Sequence, residues 1–263
     1  MIGLSLVVPV YNGAAYVETS VRTIVRALEE GLDQPFEVIA VCDGCSDDSA
    51  ACLSRVDDDR VRVLSYETNE GKGYAITQGL AVAQGRLVGW LDSDLDIDPE
   101  AIVRAVSEFD TPAEEPADAV IGSKRHPDSD VDYPLVRRVY SLGFQLLVGV
   151  LFRFNARDTQ VGAKLFRREY MEVVRPLLLI KRYAFDLEVL AVGAEFGFDR
   201  VREIPIRLEY RFTGTGIDWR AVLRMFQDTL AIAYRIHIRH WYVRRFASLQ
   251  RHRMDVAEKI LEP

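Results

Sequence analysis

The feature that most constrains this chain is a rhythm. Apolar runs of strand length alternate with helical patterns about four times before residue 110. The runs are Leu4 to Val8, Phe36 to Val41, Val61 to Leu64 and Leu87 to Leu91. Continuous apolarity of this kind belongs to strands covered on both faces. Between them, Val17 to Leu28 carries Val17, Val21, Ile24, Val25 and Leu28 at helical spacing. A short helix is expected around Ala50 and Leu53, and another over Tyr74 to Ala83. Asp98-Pro99-Glu100 has the form of a helix start, with Asp98 as N-cap and proline at the first position. Buried strands separated by helices predict an α/β fold, a doubly wound, mostly parallel sheet with helices on both faces.

After the polar, Pro-containing loop Thr111 to Ala117, one more strand is expected at Ala119 to Gly122, and then the rhythm changes. Arg137 to Phe154 and Ala184 to Phe196 read as helices, and Val201 to Leu208 as a strand with period-two character. Trp219 to Ile236 reads as an amphipathic helix, with Val222, Phe226, Leu230 and Ala233 on one face.

The length of 263 residues suits one large domain with an appendage. A formal net charge of −7 argues against nucleic acid as a partner. The average hides a basic stretch: from Ala231 to Arg253 every charged residue is an arginine. No apolar run reaches the about 20 residues of a spanning helix, and the N-terminus has neither a positive leader region nor a small-residue cleavage site. Three cysteines cluster at Cys42, Cys45 and Cys52, which is no disulfide framework and points to a reducing cytosol.

In an open α/β sheet, ligands sit beyond the carboxyl ends of the strands. The segments there are Pro9 to Asn12, Cys42 to Gly44, Asp92 to Asp96 and Ser123 to Arg125, joined by the glycine-bearing loop Asn69 to Gly73 with its Lys72. Asp92-Ser93-Asp94-Leu95-Asp96 places carboxylates two apart at the end of a buried strand, a costly arrangement without a cation. Oxygen ligands of this kind suit Mg²⁺ or Mn²⁺. The competing reading is a solvated acidic turn before a capped helix. An EF-hand is excluded, because Ile97 and Val103 stand where its sixth-position Gly and twelfth-position Glu belong. Cys42 and Cys45 have redox spacing, but no second ligand pair for zinc exists, and Asp43 between them is the more informative residue. Rossmann, P-loop and G-x-S-x-G signatures are all missing from the sequence.

Taken together, LSLVVPVYNGAAYVETSV, VCDGCSDDS, NEGKGYAITQGLAVAQGRLVGWLDSDLDIDP and IGSKRHPDS resemble the family 2 glycosyltransferases of the GT-A fold. The resemblance is greatest to the polyprenyl-phosphate hexosyltransferases, the dolichyl-phosphate glucosyltransferases and mannose synthases. RDTQVGAKLFRRE, Arg157 to Glu169, resembles the glucosyltransferase branch.

The resemblance implies a nucleotide-sugar donor, UDP-glucose before GDP-mannose, and inverting transfer to a polyprenyl phosphate. It implies that Pro9, Tyr11 and Asp43 contact the base, that Asp92, Ser93 and Asp94 touch ribose and metal, and that Asp96 completes the metal set. Arg125 would face the phosphates, and Arg211 would belong to a loop closing over the donor; Lys72, in the Asn69–Gly73 loop, is a further candidate for binding the nucleotide sugar. Gly13 and Cys42 depart from acidic residues that the family often carries.

A phosphate acceptor is already ionised near neutral pH and needs no general base. Asp158 is the candidate if a base exists, with holding its own loop as the other reading. The alternative function is a family 2 transferase acting on a sugar hydroxyl or another soluble acceptor. A lipid acceptor implies peripheral contact on the cytoplasmic face of a membrane. Val139 to Phe152 is one candidate for that contact. Tyr234 to Arg253, with Trp241, Tyr242 and Phe246 among arginines, is another. A basic solvated tail and an oligomer contact compete with that reading. The expected division is a GT-A domain over 1–215 and a C-terminal helical segment over 216–263.

Overall fold

The computed structural model describes residues 2–112, 114–131, 135–152, 156–209 and 219–261. The expected rhythm is present: β1 (Leu4–Val10), α1 (Val17–Gly31), β2 (Phe36–Asp43), α2 (Ser49–Leu53), β3 (Val61–Tyr66), α3 (Lys72–Val82), β4 (Leu87–Leu91), α4 (Glu100–Asp110) and β5 (Ala119–Ser123). The strands run two residues past the sequence-based limits in β1, β2 and β3. Pro9 does not stop β1: it aligns with Val41, and the strand continues to Val10. Asp98 caps α4 as expected, its carboxylate accepting the Glu100 N–H at 3.0 Å.

Alternation explains why these strands are apolar throughout. Leu4, Leu6 and Val8 of β1 enter a core layer formed with α1 and α4, while Val7 enters the opposite layer with Ile76 of α3. The inner strands β1, β2 and β4 therefore have a layer to fill on both sides, whereas β3, at the sheet edge, is partly exposed.

The second half brings β6 (Asp130–Val131), α5 (Leu135–Leu151), β7 (Ala163–Arg167), α6 (Arg168–Val174), a single 3₁₀ turn at Arg175–Leu177, and α7 (Phe185–Glu195). The expected strand Val201 to Leu208 divides into β8 (Val201–Pro205) and β9 (Arg207–Leu208). These belong to different sheets: β8 pairs with β5, and β9 with β6. The main sheet has seven strands in the order β3-β2-β1-β4-β7-β5-β8. β7 runs antiparallel to both β4 and β5, and the other pairings are parallel. The doubly wound, mostly parallel architecture expected from the sequence is the one observed.

The chain closes with α8 (Trp219–Ala233), a π turn over Tyr234–Ile238 and α9 (Trp241–Leu261). Ile232, Ala233, Ile236 and Tyr242 are buried in the same core layer as α7. This corrects one expectation about the interfacial aromatics. Tyr242 points inward, because its O–H satisfies the buried carboxylate of Glu188 at 2.6 Å. Phe246 also turns inward, packing on Phe196 at 5.0 Å between ring centres. The expected boundary at residue 215 lies outside the described residues.

Candidate active site

The carboxyl ends of β1, β2 and β4 converge on a cleft of about 560 Å³. The expected residues Pro9, Tyr11, Asp43, Lys72, Asp92, Ser93 and Asp94 all line it. Sequence reasoning missed Tyr16, Asn69, Gln160, Arg182, Tyr183 and Asp186, which line it as well.

The loop after β1 and the loop after β2 are stitched together by polar contacts. Ser46 N–H donates to Asn12 Oδ1 at 2.8 Å, Ala14 N–H to Asp47 Oδ2 at 2.9 Å and Gly13 N–H to Ser49 Oγ at 2.8 Å. The three cysteines are free thiols. Cys42 is buried, and burial above all, with Cys45 beside it, pushes its thiol up to about 12. A buried thiol held protonated in this way packs as a small apolar side chain.

Asp43 sits at the end of β2 and organises the next loop. Its Oδ1 accepts the Tyr66 O–H at 2.9 Å and the Glu70 N–H at 2.8 Å, and its Oδ2 accepts the Gly71 N–H at 2.8 Å. Gly71 has φ 109°, where a Cβ would meet the Lys181 carbonyl at 2.6 Å, so glycine is required there. The same loop is held from the other side. Lys181 pairs with Glu70 at 2.6 Å, and Arg182 donates to Asn69 Oδ1 at 3.1 Å.

Lys72, at the start of α3, reaches across to Asp92 Oδ1 at 2.6 Å. Burial disfavours its charge, but Asp92 and Asp186 outweigh that and hold the ammonium above its ordinary value. Among the described residues no cation forms an ion pair with Asp94. Burial first, and then the charge of Asp92, push its carboxyl up to about 6, and Lys72 offsets this only in part. Asp96 donates its backbone N–H to Asp94 Oδ1 at 3.1 Å.

Among the described residues no three side chains of ligating type form a group that could hold an ion alone. Asp92, Asp94 and Asp96, expected together as a metal set, therefore do not make a closed cage. A divalent ion at this end of the sheet would need oxygen ligands beyond these carboxylates.

Beneath the cleft lies a buried ion pair. Lys164 of β7 donates to Asp186 Oδ1 at 2.6 Å and also to the Val161 carbonyl, and Trp90 Nε1 donates to the same Asp186 oxygen at 3.3 Å. Lys164 and Trp90 are aligned partners across β7 and β4. Burial draws Lys164 below its usual value; burial alone would raise Asp186, but Lys164 and Lys72 hold it below the carboxylate range. A signal for this pair exists in the sequence. AKLF carries one charge, Lys164, in an apolar element, and AFDLEVL carries two, Asp186 and Glu188; such charges survive burial only with partners.

Arg125 and Asp158 lie beside the cleft, outside its described lining. Asp158 is buried, and its Oδ2 accepts the Lys124 N–H at 3.1 Å with the Lys124 ammonium at 3.7 Å. Its Oδ1 accepts the Gln160 N–H at 3.4 Å. It ties the Ser123–Arg125 segment to the loop bearing Gln160. Arg211 lies outside the described residues.

Gly162 touches the site most closely. A Cβ there would stand 2.0 Å from Asp92 Oδ2. Gly162→Ala is expected to turn the Asp92 carboxylate away from Lys72 and to lower kcat/KM by about a hundredfold, because small misplacements at a reacting centre cost that much. Steady-state kinetics together with an unchanged circular dichroism spectrum would check this.

The profile of glycosyl transferase family 2 matches residues 5–175. The chain belongs to glycosyl transferase family 2. Glycosyltransferase AglD of Haloferax volcanii is 32% identical over 246 residues, covering 92% of this chain and 39% of that protein. This family 2 chain thus spans about two fifths of the length of AglD. The dolichyl-phosphate beta-glucosyltransferase of Dictyostelium discoideum is 26% identical, over 92% of this chain and 77% of that protein. Among solved structures, glucosyl-3-phosphoglycerate synthase from Mycobacterium tuberculosis, in complex with Mn²⁺, UDP-glucose and phosphoglyceric acid, superposes with a TM-score of 0.65 at 20% identity. That match covers 89% of this chain and 79% of the other. It establishes the shared fold.

Proposed function

We propose that this family 2 glycosyltransferase moves a hexose, glucose in preference to mannose, from a nucleoside-diphosphate sugar to a polyprenyl phosphate with inversion. One observation carries the reading: a Lys72–Asp92 ion pair beside Asp94, whose carboxyl burial and Asp92 push up, at the carboxyl end of the sheet. The similarity to relatives named dolichyl-phosphate beta-glucosyltransferase supports the choice of acceptor.

In this reading the base lies against Pro9, Tyr11 and the free lone pair of Asp43, and the diphosphate lies over Lys72 and Asp94. A divalent ion, Mg²⁺ or Mn²⁺, held by Asp94 would supply Lewis-acid stabilisation to the departing diphosphate. Lys72 presents a fixed positive charge to the same oxygens, oriented in advance by Asp92. Arg182 stands at the wall of the cleft as a further cation. The acceptor's phosphate oxygen attacks the anomeric carbon as the bond from that carbon to the diphosphate breaks. No proton has to be removed from the nucleophile. Asp158 is already committed to Lys124 and Gln160, so its part is to hold the Ser123–Arg125 segment in place.

No helix among the described residues is long and apolar enough to cross a membrane. In this reading the chain meets its lipid acceptor by peripheral contact on the cytoplasmic face of a membrane.

The test is a panel of nucleotide sugars incubated with the chain, a polyprenyl phosphate and Mg²⁺ or Mn²⁺. Lipid-linked glucose from UDP-glucose is the expected product. Labelled lipid from GDP-mannose alone would reverse the donor preference. Transfer only to a sugar hydroxyl would replace the acceptor assignment.

A further inference from the structure

We infer that the outer face of α8, continued by the π turn and the end of α5, is a docking surface for an anionic lipid bilayer. Helix α8 has two apolar faces. Met225, Ile232, Ala233 and Ile236 pack inward on the core. On the opposite side Leu223, Phe226, Leu230, Tyr234 and Ile238 follow one another at intervals of three or four residues and are between 42% and 66% exposed. An amphipathic helix of a water-facing domain has polar residues on that side.

The stripe does not end with the helix. His237 Nε2 lies 2.7 Å from the Leu151 carbonyl, so the π turn abuts the end of α5. There Leu146 and Val150, one helical turn apart, are 72% and 77% exposed, whereas Val148 and Phe152 are buried. Two elements far apart in sequence thus bring apolar side chains to a common edge. Exposed apolar side chains on two adjoining elements mark a contact surface.

Charge selects the occupant. From Trp219 to Met254 the chain carries eight arginines and a single acid, Asp228, in a protein whose formal net charge is −7. Arg224, Arg239, Arg244 and Arg245 are exposed, while Asp228 lies within the field of Arg235. A second copy of the chain would set arginine against arginine. An apolar stripe flanked by exposed arginines is complementary to headgroup phosphates above acyl chains. The surface differs from the one expected around Tyr242 and Phe246, which face the core. Its purpose rests on the lipid-acceptor reading above, but its binding does not require turnover.

The experiment is co-sedimentation of the chain, without donor or acceptor, with vesicles of phosphatidylglycerol in phosphatidylcholine and with vesicles of phosphatidylcholine alone. Binding to the anionic vesicles, weakened by salt, is the expected result. Phe226→Glu with Leu230→Glu should reduce vesicle partitioning by on the order of a hundredfold, since two buried apolar side chains are replaced by charges that anionic lipid repels. Leu146→Glu with Val150→Glu, on the other element, should reduce it as well. Both variants should keep wild-type transfer to a short, water-soluble polyprenyl phosphate. That assay separates failure of this inference from failure of the proposed reaction. Unchanged partitioning in both variants would overturn the inference. So would a wild-type chain that ignores anionic vesicles, or a wild-type dimer that the substitutions convert to monomer without any vesicle binding.

Discussion

Asp94→Ala will lower the turnover of nucleotide sugar by on the order of a thousandfold, the loss expected when several kcal/mol of charge stabilisation at the leaving group are withdrawn. Asp94 is the acidic residue of the cleft whose carboxyl is raised, to about 6, by burial and by Asp92. Asp92 already has Lys72 at 2.6 Å, so it cannot stand in for Asp94 without breaking that pair. The fold should gain slightly, because the variant removes a carboxylate crowded by a second one. A chain with near-normal turnover after this substitution would overturn the assignment of the ion to Asp94. Titrating Mn²⁺ against the wild type and the variant, with transfer as readout, separates lost ion binding from lost chemistry.

The second large effect is on stability. Lys164→Met should cost about 3–5 kcal/mol, the usual result of removing one member of a buried ion pair. For a protein of this size that corresponds to a fall of roughly 10 °C in Tm. Lys164 is fully buried, and Asp186 would be left with only Trp90 as a direct donor. The paired change Lys164→Met with Asp186→Leu should recover most of the loss, since an apolar pair of similar volume removes the stranded charge. Equal destabilisation by the single and the double variant would contradict this account. Thermal unfolding of all three chains, at one pH and one salt concentration, decides it.

The parts of the fold that were legible in sequence are those where a local pattern has one physical meaning. β1, β2 and β4 are buried along almost their whole length and mostly apolar because both faces are covered, and that pattern survives without knowledge of their neighbours. The acidic segment was legible for the same reason. Asp92, Asp94, Asp96 and Asp98 alternate with the buried Ser93, Leu95 and Ile97, and period two at a strand end is visible in one dimension. β7 was not legible. AKLFR reads as an ordinary short run, and nothing local says that it enters the sheet antiparallel between β4 and β5. Lys164 and Asp186 share this property, since each is anomalous alone and is explained only by the other, 22 residues away. Tyr242 misled for a related reason. A tyrosine among arginines looks interfacial until the buried carboxylate it satisfies, Glu188, is known.

The antiparallel course of β7 also sets an order in time. β4 ends at Leu91, yet its outer edge is unpaired until Ala163 to Arg167 has been made. Asp92 donates its N–H to the Gly162 carbonyl, and the Lys164–Asp186 pair beneath it needs the start of α7. During synthesis the first five strands emerge with an exposed edge beside the acidic residues, a surface open to pairing with other chains. The candidate site, though its most conspicuous residues come early, is therefore a late product of the ribosome. A nascent chain shorter than about 190 residues holds the aspartates but not the geometry that makes them a site, since α7 ends at Glu195.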